Sequence, residues 1–187
     1  HGGFIPWDDD LDFFMTPDNY EQFRNAFNNF GDKEKYYLQE WGACNGMVTT
    51  AKIRMNGTAY IESALKDWDI HQGIYVDIFI LHNCPNNKIS RLHQYVWAKY
   101  VIMKGLSERN YSRRKGFLGF CLKIIKLFPK RFLVKHGLKQ VYKYRNRICD
   151  NYCNFLGKAV LKNGVYKKDY FLDGEYVPFE KVKLKVP

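Results

Sequence analysis

Aspartates placed inside a short apolar stretch constrain the fold of this chain more than any other feature. Over residues 7–15, Asp8, Asp10 and Asp12 alternate with other side chains. A β-strand alternates its two faces with a period of two, so these three carboxylates would share one face and Leu11 the other. We therefore expect a sheet that carries an acidic face near the start of the chain.

A second strand is expected to bring one more acid to the same place. Residues 74–81 form a dense apolar run that is interrupted only by Asp77, which is typical of a buried strand. Two carboxylates about 5 Å apart repel each other by about 3 kcal/mol at an effective dielectric constant of about 20. A hard divalent cation relieves that repulsion, and Mg²⁺ takes one or two carboxylates plus phosphate oxygens. The pattern predicts a metal site to which Asp77 contributes a further carboxylate.

The acidic stretch also allows other interpretations. One is a solvated loop of acidic residues. Another is a nucleotide-sugar glycosyltransferase, because an Asp-x-Asp pair also occurs in such enzymes. Neither interpretation is excluded by the residues. A calcium loop of the EF-hand type is excluded, since its sixth position is Phe13 instead of Gly and its twelfth is Asn19 instead of Glu.

The rest of the pattern predicts strands first and helices later. Strands are expected at residues 7–15, 36–39, 47–55 and 74–81, and helices at residues 18–30, 92–103, 117–128 and 141–155. A hairpin is expected about Asp173-Gly174, and the five cysteines are expected to be reduced thiols. This order predicts an α/β (α+β) domain with a mixed sheet and a helical C-terminal part.

Charge divides the chain into two halves. Residues 1–90 carry 7 Lys and Arg against 13 Asp and Glu, whereas residues 91–187 carry 23 against 6. The basic half holds an amphipathic run, residues 117–128, between Arg113-Arg114-Lys115 and Lys130-Arg131. Two interpretations of this run stay open: a core helix with solvated ends, which its wide apolar face favours, and a face that makes peripheral contact with an anionic membrane. Nucleic-acid binding is a weaker alternative, because no such motif is present and the aspartates would repel phosphate.

Motifs spread along the chain resemble the LicD family of phosphotransferases, relatives of fukutin within the nucleotidyltransferase superfamily. The strongest is His1-Gly2-Gly3-Phe4-Ile5-Pro6-Trp7-Asp8-Asp9-Asp10-Leu11-Asp12. The others are Lys52-x-Arg54 with Thr58, Val76-Asp77-Ile78-Phe79, Pro178-Phe179-Glu180 and Val186-Pro187. The resemblance implies a single nucleotidyltransferase-like domain over residues 1–187, with a catalytic sheet portion at 1–90 and a basic helical portion at 91–187.

The resemblance also implies a reaction and a set of roles. A phospho-alcohol, typically phosphocholine from CDP-choline, would pass to a hydroxyl of a cell-surface glycan or its precursor, such as lipopolysaccharide, capsule or teichoic acid. Asp8, Asp10, Asp12 and Asp77 would hold Mg²⁺ or Mn²⁺, and the last three would be catalytic. Lys52, Arg54 and Thr58 would bind nucleotide phosphates. The enzyme would be cytoplasmic, with peripheral contact at the inner face of the membrane, and no nucleic-acid partner is expected.

Two further expectations follow from the resemblance. A choline ammonium group needs aromatic rings around it, and the candidates near the motifs are Trp7, Tyr60, Trp68 and Tyr75, each of which could instead be a core ring. The family's Gly-rich segment before residue 1 and its Tyr-Leu and Tyr-Gly elements past residue 187 are not in this sequence, so we expect a fragment that lacks both ends of the family domain.

Overall fold

A computed structural model describes residues 3–7, 10–40, 50–63, 65–108, 116–157 and 160–186. The strands are β1 (Asp12–Met15), β2 (Tyr36–Gln39), β3 (Ala51–Met55), β4 (Tyr75–Ile80), β5 (His82–Cys84), β6 (Asn151–Cys153), β7 (Val165–Lys167), β8 (Glu175–Phe179) and β9 (Val182–Val186). The α-helices are α1 (Pro17–Phe30), α2 (Lys88–Glu108), α3 (Phe117–Leu127) and α4 (Lys130–Val141). The predicted α/β class is confirmed.

The first sheet is mixed and has the order β1-β4-β3-β2. β1 runs parallel to β4, whereas β3 is antiparallel to both of its neighbours. One face packs on α1, where Tyr20 meets Ala51, Ile78 and Ile80. Because side chains alternate along a strand, Asp12 and Asp77 lie on the opposite face.

Helix α1 begins and ends where its sequence predicts. Thr16 is the N-cap, and its hydroxyl accepts a hydrogen bond from the Asn19 backbone at 3.2 Å. Pro17 occupies the first turn, where a missing N–H costs nothing. At the other end, the Gly31 N–H closes the last turn on the Phe27 carbonyl.

The second half of the chain builds on the first through a shared sheet of order β5-β6-β7. Its core joins α2, α4 and this sheet through Ala98, Val101, Val141, Cys153 and Phe155. The pairing of β5 with β6 links the two halves that differ in charge. A separate hairpin, β8 with β9, completes the described chain.

The helix predicted over residues 141–155 is wrong. Helix α4 already ends at Val141, a 3-10 turn follows at Tyr142–Tyr144, and β6 begins at Asn151. Pairing of β6 with both β5 and β7 outweighs the helical spacing of its apolar residues. The hairpin turn lies at Glu180–Lys181, so the prediction at Asp173-Gly174 is also wrong.

Predicted strand limits also need correction. Regular pairing in the first acidic stretch starts only at Asp12. The strand predicted at 47–55 is seen as β3 from residue 51, and residues 41–49 lie outside the described ranges. The short strand β5 at His82–Cys84 follows the predicted strand 74–81 and was not predicted.

Two helices bury faces that differ from those their apolar spacing predicts. For α2 that spacing predicts an inward face with Leu92 and Val96, which are exposed. Its buried residues are Gln94, Ala98, Val101, Lys104, Gly105 and Ser107. For α3 the spacing predicts an inward face with Phe117, Phe120, Ile124, Ile125 and Phe128, of which Ile125 is buried and the others are exposed. In α3 the buried residues are Gly119, Leu122 and Ile125. None of the helices within the described ranges is long and apolar enough to span a bilayer.

Candidate functional site

The acidic face is a row of side chains that crosses all four strands of the first sheet. Asp12 of β1 is the register partner of Asp77 in β4, Asp77 that of Lys52 in β3, and Lys52 that of Gln39 in β2. Residues in register on neighbouring strands share a face, so two carboxylates, one ammonium and one amide stand side by side. Two segments that are 65 residues apart in sequence thus meet at Asp12 and Asp77.

Lys52 neutralises one of the two carboxylates. Its Nζ lies 2.7 Å from Asp77 Oδ1, and both side chains are largely buried. Burial lowers the pKa of Lys52, and the hydrogen bond and charge of Asp77 act in the opposite direction. The same Nζ lies 3.4 Å from the centre of the Tyr75 ring. The acidic face therefore already holds one fixed positive charge.

Tyr75 and Glu62 extend the charged surroundings of this row. Burial raises the pKa of Tyr75, and the charges of Glu62, Asp77 and Asp10 raise it further. Glu62 also acts on Lys52 electrostatically. Both carboxylates outside the strands, Asp10 and Glu62, are therefore close enough to act on the face that contains Asp77.

The other predicted phosphate ligands are held by the protein itself. Arg54 is only 1% exposed, its Nε donates to Gln39 Oε1 at 2.7 Å, and its Nη1 donates to the Gly73 carbonyl at 3.0 Å. The Thr58 hydroxyl donates to the Met55 carbonyl at 2.7 Å and accepts from the Ile74 N–H at 3.0 Å. Both residues fix the connection between β3 and β4 on the edge of the acidic face.

A divalent cation fits the chemistry of this face in a limited way. Asp12 and Asp77 are two oxygen donors in register, which is the number of carboxylates that Mg²⁺ commonly takes from protein. In the ranges that the structure describes, no group of three or more His, Cys, Asp or Glu is placed to hold a metal ion. The predicted ligand Asp8 lies outside those ranges. A cation held by Asp12 and Asp77 would take further ligands, such as substrate oxygens or water.

The structure pairs two of the four aromatic candidates. Tyr60 and Tyr75 make an edge-to-face contact with ring centres 5.6 Å apart. One face of Tyr75 is taken by Lys52, so a ligand ammonium could not use that face. Trp7 is exposed and Trp68 is half-buried. A choline pocket formed by all four rings is not seen.

The start and the end of the described chain meet beside β1. The Phe4 N–H donates to Glu180 Oε1 at 3.1 Å, and the rings of Phe4 and Phe179 pack edge to face at 5.0 Å. A Cβ at Gly3 would meet the end of the Glu180 side chain, so a larger residue there would require the Glu180 carboxylate to move. Along the outer edge of β1, a cleft of about 420 Å³ is lined by Asp12 and, from the C-terminal segment, by Phe171, Leu184 and Lys185 among others.

These observations can be compared with known proteins. The chain is 22% identical over 196 residues to lipopolysaccharide cholinephosphotransferase LicD of Haemophilus influenzae, a match that covers 91% of this chain and 63% of that protein. The chain is LicD-like. The resemblance predicted from the motifs is thereby confirmed. No family model matches the chain, and no solved structure matches it.

The candidate site contains residues that the sequence did not single out. Gln39 was missed, although a polar residue at the end of the apolar stretch Tyr36–Leu38 is a signal of a buried partner. No sequence signal marks Glu62, because it lies in an irregular loop and its charge acts on Lys52 only once the chain has folded. The motif Pro178-Phe179-Glu180 was recognised, but its contact with Phe4 was not anticipated.

Proposed function

We propose that this chain carries the active face of a transferase that moves a phospho-alcohol, with phosphocholine as the first candidate, from a CDP-activated donor to a hydroxyl of a cell-surface glycan or its precursor. The observation that supports this most directly is the register of Asp12 with Asp77, beside Lys52, in a LicD-like chain. The chain spans 63% of the length of that relative, so the transferase activity of this chain is part of the proposal.

In this proposal Asp12 and Asp77 hold Mg²⁺ or Mn²⁺. Asp10 acts on the same face through its charge and is not placed with them as a third ligand, and the predicted ligand Asp8 lies outside the described ranges. When bound, such a cation neutralises the donor diphosphate and the charge that develops on the leaving nucleotide. A phosphoryl transfer depends mostly on positioning and charge, so a preformed row of two carboxylates and one ammonium suits it.

The chain's own residues then divide the remaining work. Lys52 pairs with the Asp77 carboxylate and contributes a positive charge toward donor phosphate. The acceptor hydroxyl attacks the phosphorus next to the alcohol, its O–H proton passes to a carboxylate of the face, and the bond to CMP breaks. Asp77 is the proposed base, because its ion pair with Lys52 fixes its orientation. Arg54 and Thr58 position the β3–β4 connection.

A panel of donors tests this function against the glycosyltransferase alternative. Thermal unfolding of the chain is measured with CDP-choline, CDP-ribitol or UDP-glucose, each with MgCl₂ or with EDTA. At a hundredfold excess over Kd, we expect a CDP-alcohol to raise Tm by about 5–10 °C, and only with Mg²⁺. Stabilisation by UDP-glucose alone would instead favour a nucleotide-sugar transferase. Stabilisation by a CDP-alcohol that is equal in EDTA would remove the metal from the proposal.

A further inference from the structure

Helix α3 and the start of α4 expose large apolar side chains that no described residue covers. The most exposed are Phe117 at 82% and Leu127 at 84%. The full set of exposed apolar residues here is Phe117, Leu118, Phe120, Ile124, Leu127, Phe128 and Phe132. We call these seven residues the apolar patch. A patch of this extent marks an interaction surface, because single exposed apolar residues are ordinary but contiguous ones are not.

The apolar patch has depth as well as area. Where α2, α3 and α4 meet, a cleft of about 710 Å³ is lined by Trp97, Tyr100 and Met103 from α2 and by Ile124, Phe128 and Phe132 from the patch. Leu122 and Ile125 are the buried apolar side chains of helix α3, and Ile125 also forms part of the cleft lining. Helix α3 is therefore apolar on two sides, of which only one is used for packing.

The chain around the patch is exclusively basic. Residues 109–149 contain 13 Lys and Arg and no Asp or Glu. Within α3, Lys123 and Lys126 are both exposed among the apolar residues. Exposed aromatic and aliphatic side chains together with lysines are the composition of a helix that lies in the interface of a bilayer.

We propose that the apolar patch and the lysines of α3 dock this protein on an anionic lipid bilayer. Charge complementarity selects this occupant, since Lys and Arg side chains near an anionic leaflet are attracted to it. A second copy of the chain would place two basic surfaces against each other. A nucleic acid would satisfy the lysines but would leave Phe117 and Leu127 in water. Docking of this kind requires no transferase activity, so it stands or falls independently of the function proposed above.

Vesicle flotation tests the proposal with the full chain. The vesicles are phosphatidylcholine alone, or an equal mixture of phosphatidylcholine and phosphatidylglycerol. We expect the chain to float with the mixture and not with phosphatidylcholine alone. Raising the salt from about 0.1 M to about 1 M shortens the screening length from about 10 Å to about 3 Å and should release most of the protein.

Two double variants separate the apolar and the charged contributions. Phe117→Ser with Leu127→Ser, and Lys123→Glu with Lys126→Glu, should each lower partitioning into the mixed vesicles by at least tenfold. The matched controls lie elsewhere on the surface. Ile89→Ser with Val182→Ser removes exposed apolar groups, and Lys88→Glu with Lys183→Glu makes the same change in net charge. Both controls should bind within about twofold of the parent, because surface changes away from a site have small effects.

Several results would overturn the proposal. Equal flotation with neutral and mixed vesicles would do so, as would full binding by both double variants. A dimer in sedimentation equilibrium that Leu127→Ser dissociates would show that a second copy covers the patch. Generic RNA binding that the lysine variant abolishes, without any flotation of the parent, would show a nucleic-acid surface. Circular dichroism melting of each variant confirms that the exposed substitutions leave the fold intact.

Discussion

Lys52 and Arg54 occupy the same face of β3, two residues apart, and yet they do different work. Lys52 meets a carboxylate, whereas Arg54 donates to an amide oxygen and a backbone carbonyl and lies over the Tyr75 ring. A buried guanidinium that satisfies neutral acceptors is a structural group, because its hydrogen bonds replace those it had with water. The pattern Lys-x-Arg predicted two phosphate ligands, and the fold gives the two residues separate partners.

Replacing Arg54 should destabilise the protein strongly. In Arg54→Met, Gln39 Oε1 and the Gly73 carbonyl lose a donor in a buried setting, and we expect the free energy of unfolding to fall by about 2–4 kcal/mol. Urea unfolding measures this loss. Arg24→Met is the control, because Arg24 makes only half-exposed ion pairs worth at most about 1 kcal/mol. Equal losses in both variants would mean that the buried hydrogen bonds of Arg54 contribute little.

His82 should make stability depend on pH. Burial, with a smaller contribution from the charge of Arg145, lowers the pKa of His82 from 6.5 to about 4. The unfolded chain therefore binds this proton more readily, so stability is full above pH 6.5 and falls as the pH drops toward 4. Between pH 7.5 and pH 5 we expect this one group to remove about 2 kcal/mol.

Urea unfolding at both pH values checks the contribution of His82. In His82→Phe the ring keeps its place against Tyr142, whose ring centre lies 4.7 Å away, but no longer titrates. The loss of unfolding free energy between pH 7.5 and pH 5 should shrink by about 2 kcal/mol in this variant. An unchanged pH dependence would assign the acid sensitivity to other groups.

At the scale of helices and strands, features that depend on neighbouring residues were predicted correctly. The fate of a segment that pairs with a distant strand was not. Helix α1 could be read from Thr16, Pro17 and Gly31, because capping is a property of neighbouring residues. The segment 141–155 has helical spacing, but its fate is decided by pairing with β5, which is 67 residues away at Cys84 and Asn151. A single sequence carries no signal for such pairing.

The predictions of the inward faces of α2 and α3 were wrong for a related reason. Polar residues such as Gln94 are buried because they reach backbone carbonyls elsewhere, here Asn83 and Val141. Lys104 is buried beside Glu108 and the carbonyls of α3. Apolar periodicity counts such residues as solvent-facing. It then assigns the exposed apolar side to the core, as the core-helix alternative for residues 117–128 does.

Contact between α2 and α4 should depend on Gly137. A Cβ at this position would lie 2.6 Å from Val101 Cγ2, which is too close for real side chains. Alanine gains about 1 kcal/mol over glycine in a helix, but overpacking costs about 1–3 kcal/mol, so Gly137→Ala should lose about 1 kcal/mol net.

A double-mutant cycle isolates this contact. In a Val101→Ala background the clash is absent, and Gly137→Ala should then stabilise the protein by about 0.5–1 kcal/mol relative to Val101→Ala alone. Thermal or urea unfolding of the four proteins gives the coupling. The same sign of effect in both backgrounds would contradict a direct contact between the two positions.

At the scale of the whole molecule, the fold gathers distant motifs around one sheet. Asp12 meets Asp77, and Phe4 meets Phe179 and Glu180 across almost the whole sequence. The convergence of the two acids was predicted from apolar strands that each carry an aspartate. The contact between the ends was not, because recognising two motifs in a family says nothing about their distance in space. The metal and the roles of the site residues stay predictions.

Calorimetric titration of CDP-choline into this protein tests the central claim most directly. With MgCl₂ present we predict saturable binding, and with EDTA a loss of affinity of at least tenfold. Asp12→Asn should show the same loss in MgCl₂, while Asp32→Asn, which keeps an acceptor for the Lys35 N–H, should bind like the parent. Affinity that is unchanged by EDTA and by Asp12→Asn would contradict a cation-assisted diphosphate site at Asp12 and Asp77.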